Sequence, residues 1–230
     1  MSISAAALAA RPLEQRSRRS AHPASVRAYA GTLDMMGAPM SFSRNEEIYG
    51  EAEAADYFFY KVVSGAVRMY KVLTDGRRQI GAFYLPGDMF GFEPADAHAS
   101  SAEAIGDVTV LVFKRSAVLS LAARDSDVAR RLWEMTAREL DRSRKHALLL
   151  ILSAQERVAS FLLEMAARSR AGSEIELPMS RQDIADYLGL TIETVSRTLS
   201  QLESVGAIAV PAARRITFCN SGTLNRLNAC

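Results

Sequence analysis

The stretch from Ser180 to Val205, SRQDIADYLGLTIETVSRTLSQLESV, leaves little choice of fold. Two short helical patterns flank Gly189. Ile184, Leu188, Leu190, Val195, Leu199 and Leu202 recur at helical spacing and predict one shared core. Ala185 is small enough for the two helices to approach, and Gly189 permits the positive φ of a tight turn. Ser180 with Asp183 has the form of a capping box, and Thr191 that of an N-cap. The segment reads as a helix-turn-helix. A solvated helix hairpin would satisfy the apolar spacing equally. What separates the two readings is the outward set on the second helix: Thr191, Glu193, Thr194, Ser196 and Arg197. Arginine can clamp guanine O6 and N7, glutamate can accept from cytosine N4, and serine serves either role. Glu193 and Arg197 stand four apart on one face, so this helix is expected to read bases. Ser180, Arg181 and Thr191, at helix starts, are the expected phosphate contacts.

Upstream, from about Gly31 to Arg115, the pattern is β. DYFFYKVVSGAVRMYKVL predicts two strands joined as a hairpin at Ser64-Gly65. Thr74-Asp75-Gly76 marks a second turn, Pro86-Gly87-Asp88 closes the strand RRQIGAFYL, and VTVLVFK is a further strand. Short strands between glycine turns suggest a sandwich, jelly roll or barrel. The period then turns helical. VARRLWEMTARELDRSRKHALLLIL exceeds a typical globular helix, with Val128, Leu132, Met135, Ser143, Ala147 and Leu150 as its narrow seam. That seam can pack on the chain's own β domain or on a second copy. Pairing with a copy is favoured, because helix-turn-helix proteins usually bind two half-sites. Ser153 opens another helix. Beyond Gly206, IAV and RITFC flank the turn PAAR as a small wing. Arg214 and Arg215 at its tip either meet phosphates or sit in a solvated loop.

Charge and cysteine content narrow the setting. The net charge is only +2, and the segment from 153 onward carries eight basic and eight acidic residues. DNA affinity must therefore come from placed residues rather than bulk charge. The first thirty residues hold five arginines against one glutamate and few large apolar residues, which suggests a flexible arm. Two cysteines, Cys219 and Cys230, fit a reducing cytoplasm. Cys219 is expected as a small buried hydrophobe, with a redox switch as the sharper alternative. No apolar run approaches the ~20 residues of a membrane span. His22, His98 and His146 are scattered, so no metal site is expected, and His146 reads as an interface or surface residue. No nucleophile elbow or phosphate loop points to an enzyme.

The order β domain, long helix, winged helix-turn-helix resembles the CRP/FNR family of bacterial transcription regulators. YKVVSGAVRMYKVLTDGRRQIGAFYLPGDMFGF is similar to that family's β-roll, AQERVASFLLEM to the first helix of its DNA-binding domain, and MSRQDIADYLGLTIETVSRTLSQLESVGAI to the FixK branch. The resemblance implies an α+β chain with a flexible arm over 1–30, a β-roll (jelly roll) over 31–117, a dimerisation helix over 118–152 and a winged helix-turn-helix over 153–230. It implies a homodimer on a palindrome with TTGA-like half-sites: Arg197 on the guanine, Glu193 on a cytosine of the complementary strand, Ser196 between them. Ile192 stands where the catabolite-activator branch has arginine, and suits a thymine methyl. Family sensing chemistry looks absent. An iron–sulfur cluster needs four thiolates, and the chain has two. A cyclic nucleotide needs an arginine followed by Ser or Thr, and the ungapped register gives His98 and Ala99. The expected regulator is thus a cytoplasmic, cofactor-free activator with double-stranded DNA and RNA polymerase as partners, controlling low-oxygen or nitrogen-metabolism genes. A ligand- or haem-gated regulator of the same family is the alternative.

Overall fold

The computed structural model describes residues 33–55, 58–93, 96–169 and 172–227. The expected arm over 1–30, His22 and Cys230 lie outside the described residues.

Eight strands form the N-terminal half: β1 (Ala38–Phe42), β2 (Glu47–Tyr49), β3 (Phe58–Ser64), β4 (Val67–Val72), β5 (Arg78–Tyr84), β6 (Met89–Phe90), β7 (Ser101–Ala104) and β8 (Val108–Lys114). They make two antiparallel four-stranded sheets, ordered β1-β8-β3-β6 and β2-β7-β4-β5. This is the double-sheet roll that the turn spacing suggested. The expected hairpin at Ser64-Gly65 does not form. β3 and β4 flank the turn but belong to different sheets, so the chain crosses the sandwich there. Gly65, at φ +78°, makes that corner possible: a Cβ would lie 2.4 Å from the Asp107 carbonyl oxygen. The turn at Thr74-Asp75-Gly76 does join a hairpin, with Val72 opposite Arg78.

Side chains fill the space between the sheets. Tyr49, Tyr60, Tyr84 and Phe90 are buried together, with Phe90 stacked on Tyr60 and on Tyr84 at centroid distances of 5.1 and 4.9 Å. His98 lies flat on Tyr49 at 3.6 Å. Burial pushes the His98 imidazole below its ordinary range, against the pull of Glu93.

The helix expected over 118–152 is divided. α1 (Arg115–Ala122) ends before Asp125, whose carboxylate caps α2 (Ser126–Leu149) by accepting from the Asp127 and Val128 amides. α2 lies along its own β-roll, and this corrects the seam. Val128 is buried, and Leu132 and Met135 pack on the cluster around Phe113 and Val118. One, two and three turns further on, the same face is polar. Tyr84 Oη donates to Glu139 at 2.9 Å, Arg142 donates to Asp88 at 2.9 Å, and His146 Nε2 lies 2.7 Å from the Tyr187 carbonyl oxygen. The outward face carries Trp133 (75% exposed), Leu140 (51%) and Leu148 (56%), and Ile151 (79%) lies just past the helix end. Of the expected seam, Ser143 and Ala147 stay exposed and Leu150 is half-buried near Gly189.

The C-terminal half holds α3 (Ala154–Ser169), β9 (Glu174–Glu176), α4 (Arg181–Leu188), α5 (Ile192–Ser204), β10 (Ile208–Ala212), β11 (Arg215–Phe218) and α6 (Ser221–Leu227). Val158, Phe161, Leu162 and Met165 of α3 share one core with Ile184, Leu188, Val195, Leu199 and Leu202. The wing is a three-stranded sheet ordered β10-β11-β9, one strand more than the sequence suggested.

Candidate nucleic-acid interface

α4 and α5 form because their ends are capped. Ser180 Oγ accepts from the Asp183 amide at 3.0 Å, and Asp183 Oδ2 accepts from the Ser180 amide at 3.0 Å, completing the capping box. Gly189 ends α4 at φ +62°, ψ +40°, the left-handed conformation of a helix C-terminus. Arg157 Nη1 donates to the Leu188 carbonyl oxygen at 2.8 Å and so satisfies one of the last carbonyls of α4. Thr191 then caps α5 by accepting from the Thr194 amide at 3.2 Å.

Burial divides α5 into two faces. Val195, Thr198, Leu199 and Leu202 are buried. Ile192, Glu193 and Arg197 are exposed and Ser196 is half-buried. Positions i, i+1, i+4 and i+5 share one helix face, so these four side chains present a single surface. Nothing in the core needs Ile192, which leaves an apolar side chain facing outward at 36% exposure. Glu193 has its carboxyl lowered by its own backbone amide and then by the Thr191 hydroxyl, which keeps it an acceptor near neutrality. Arg197 reaches Thr194 Oγ1 only at 3.5 Å.

The phosphate candidates fare unevenly. Thr191 is exposed at the helix start. Arg181 is half-buried as the first residue of α4. Ser180 is turned inward: its hydroxyl and its amide both donate to Asp183, so it caps the helix and has no proton left for a phosphate. Arg214 donates to the Pro178 carbonyl oxygen at 3.1 Å, and Arg215 pairs with Glu174 at 3.2 Å. Both remain exposed, but a phosphate would have to compete with those partners. Cys219 corrects another expectation. It follows the last wing strand and is exposed.

Two features went unread in the sequence. His146 stacks on Tyr187 at 4.1 Å, and burial lowers its pKa although the Tyr187 carbonyl opposes this. The β-roll also grips α4 through charge. Asp183 Oδ1 accepts from Arg68 at 3.0 Å and from Arg78 at 2.6 Å, and Asp186 accepts from Arg78 at 2.7 Å. Burial alone would raise the Asp183 pKa, but Ser180, Arg68 and Arg78 outweigh it and hold the carboxyl low. No group of three or more metal-ligating side chains occurs among the described residues.

A family model of Crp-like helix-turn-helix domains matches residues 156–227, and one of cyclic nucleotide-binding domains matches residues 39–125. Together they define the class: a transcription regulator with a sensor-type β domain joined to a DNA-binding one. The nitrogen fixation regulation protein FixK of Azorhizobium caulinodans is 47% identical over 216 residues, 91% of this chain and 84% of that protein. The transcriptional activator protein FnrL of Cereibacter sphaeroides is 33% identical over 80% of this chain and 78% of its own. The solved structure of FixK2 from Bradyrhizobium japonicum matches with a TM-score of 0.80 at 52% identity, covering 84% of this chain and 98% of that one. The chain belongs to the CRP/FNR family of transcription regulators, in its FixK-like branch. That family regulates transcription and is not enzymatic.

Proposed function

We propose that the chain is a homodimeric activator that reads a palindromic TTGA-type operator. Arg197 takes the guanine, Glu193 a cytosine of the complementary strand, Ile192 a thymine methyl, and Ser196 the space between. The observation that carries this reading is the shared outward face of those four residues on a helix whose back is buried. Thr191 and Arg181 supply phosphate contacts, with Arg214 and Arg215 from the wing. The dimer forms along the outward stripe of α2, where Trp133, Ala137, Leu140 and Ala147 are spaced by four, three and seven residues, as on a paired helix. Two recognition helices then reach successive major grooves about 34 Å apart.

The names of its relatives, regulators of nitrogen fixation and anaerobic life, support targets of that kind. RNA polymerase is the further partner, and the cytoplasm the setting. Activity needs no small effector: the aromatic packing inside the roll and His98 in place of the phosphate-binding arginine support this. A gated version has one observation in its favour. Among the described residues Tyr49 Oη has no hydrogen-bond partner, and the buried His98 Nδ1 faces only Glu93 Oε1, at 3.6 Å, so the roll interior keeps polar atoms that a ligand could engage. Fluorescence anisotropy on operator duplexes varied at each base tests the base assignments. Arg197→Ala is expected to lose ~1–3 kcal/mol on the guanine-bearing duplex and to stop distinguishing it from adenine there. Retained discrimination refutes the assignment of Arg197. Tighter binding on adding cyclic AMP would refute the effector-free reading.

A further inference from the structure

The β4–β5 hairpin of the roll is packed into the reader. Ala66, Ile80 and Phe83 share one buried core with α3, α4 and α5. A charge interlock adds to that core. Arg78, the first residue of β5, donates to Asp183 at 2.6 Å and to Asp186 at 2.7 Å, and Arg68 of β4 donates to Asp183 at 3.0 Å. Gln79 donates to the Tyr187 carbonyl oxygen at 3.4 Å. The hairpin is therefore held in a fixed place beside the recognition helix.

Its tip, residues 73–77, runs on past these contacts. The Leu73 amide donates to the Arg77 carbonyl oxygen at 2.8 Å, and the Gly76 amide to the Leu73 carbonyl oxygen at 2.9 Å. Gly76 takes φ +84°, with open space where a Cβ would stand. Arg77 directly precedes the anchored Arg78, yet its side chain is 78% exposed. Its partner among the described residues is Asp75 of the same turn, at 2.7 Å. So exposed an ion pair contributes little to stability, and a phosphate can take over the guanidinium at little cost to the fold. Arg77 lines the same cleft as Gln182 of α4 and as Thr191, Glu193 and Thr194 at the start of α5. In a docked helix-turn-helix the first helix crosses the DNA backbone, and the start of the second meets base edges. A cation beside both faces the phosphates that border the groove.

We propose that the hairpin tip is a DNA contact supplied by the β-roll, with Arg77 on a backbone phosphate beside the half-site. The proposal rests on α5 being the DNA-reading helix. Such a contact fixes register and adds affinity but reads no sequence. Asp75 opposes it, as a carboxylate next to the same phosphate. Fluorescence anisotropy across a salt series tests the contact, on the TTGA-type duplex and on one of scrambled sequence. Each phosphate contact adds about 0.9 to the slope of log affinity against log salt, so Arg77→Ala is expected to lower the slope by roughly 1.8 for a dimer. Binding weakens by the same factor on both duplexes. Arg77→Lys keeps the slope. Asp75→Asn, which retains the acceptor for the Arg77 amide, binds both duplexes more tightly. Thermal melts of these variants match the unaltered chain, and Arg77→Gln replaces the alanine variant should that one melt early. An unchanged slope in Arg77→Ala, a loss that Arg77→Lys shares, or a loss confined to the TTGA-type duplex overturns the contact. Failure of the unaltered chain to bind any duplex counts against the DNA-reading assignment instead.

Discussion

Two leucines about 80° apart around α2 separate the proposed dimer stripe from the expected seam. Leu140 faces outward at 51% exposure, and Leu132 packs on the β-roll. Leu→Ala removes the equivalent of about three methylene groups, each worth ~0.8 kcal/mol when buried. Half of Leu140 is already covered within one copy, so about 1.2 kcal/mol per copy depends on a partner. Two copies lose ~2.4 kcal/mol, which raises the dimer Kd about sixtyfold. Leu132→Ala should leave the dimer Kd within about threefold and instead lower unfolding stability by roughly 2 kcal/mol, as a partly buried large-to-small change does. Sedimentation velocity across a dilution series reads the first effect, and urea unfolding at fixed protein concentration reads the second. An unchanged dimer in Leu140→Ala, or stronger dissociation in Leu132→Ala, would place the interface elsewhere.

Two further outcomes follow from the groups between roll and reader. Asp183→Ala removes the capping acceptor and two arginine partners at a position only 2% exposed. Glu103 still neutralises Arg68, so the expected loss is about 3 kcal/mol, the low end for a broken buried pair. A urea midpoint within error of the unaltered chain contradicts this. His146 and His98 both have folded pKa values lowered by burial, so the unfolded chain takes up these protons first. The stability they contribute is present above about pH 6.5 and is lost as pH falls below it. Urea midpoints should therefore drop between pH 7.5 and 5.5, and His146→Gln should flatten the slope. A midpoint that rises on acidification contradicts the assignment.

Local signals were legible in the sequence, and pairings between distant segments were not. Ser180, Gly189, Thr191 and the apolar spacing of α4 and α5 describe a unit held within 26 residues, and the structure reproduces its caps and core. Strand existence was equally plain, but Ser64-Gly65 serves a corner between sheets as readily as a hairpin. The α2 seam was only partly legible because the helix's inward face changes from Val128, Leu132 and Met135 to Glu139, Arg142 and His146. Those polar groups point inward because Tyr84, Asp88 and Tyr187 receive them, and an apolar count passes over them to the neighbouring strip of Ser143 and Ala147. Strand β9 is only three residues long, although Ile175 between two glutamates carries a brief alternation. The interlock joins Arg68 and Arg78 to residues more than a hundred positions away, and no periodicity records it.

In the proposed function α5 reads a symmetric operator without a signal molecule. Selection of bound sequences from a random duplex pool, with the purified full chain in air and without added ligand, tests it most directly. The expected product is a palindrome of TTGA-type half-sites about one helical turn apart, with the guanine preference lost in Arg197→Ala. Enrichment of no sequence, or a palindrome whose guanine survives that substitution, would contradict it.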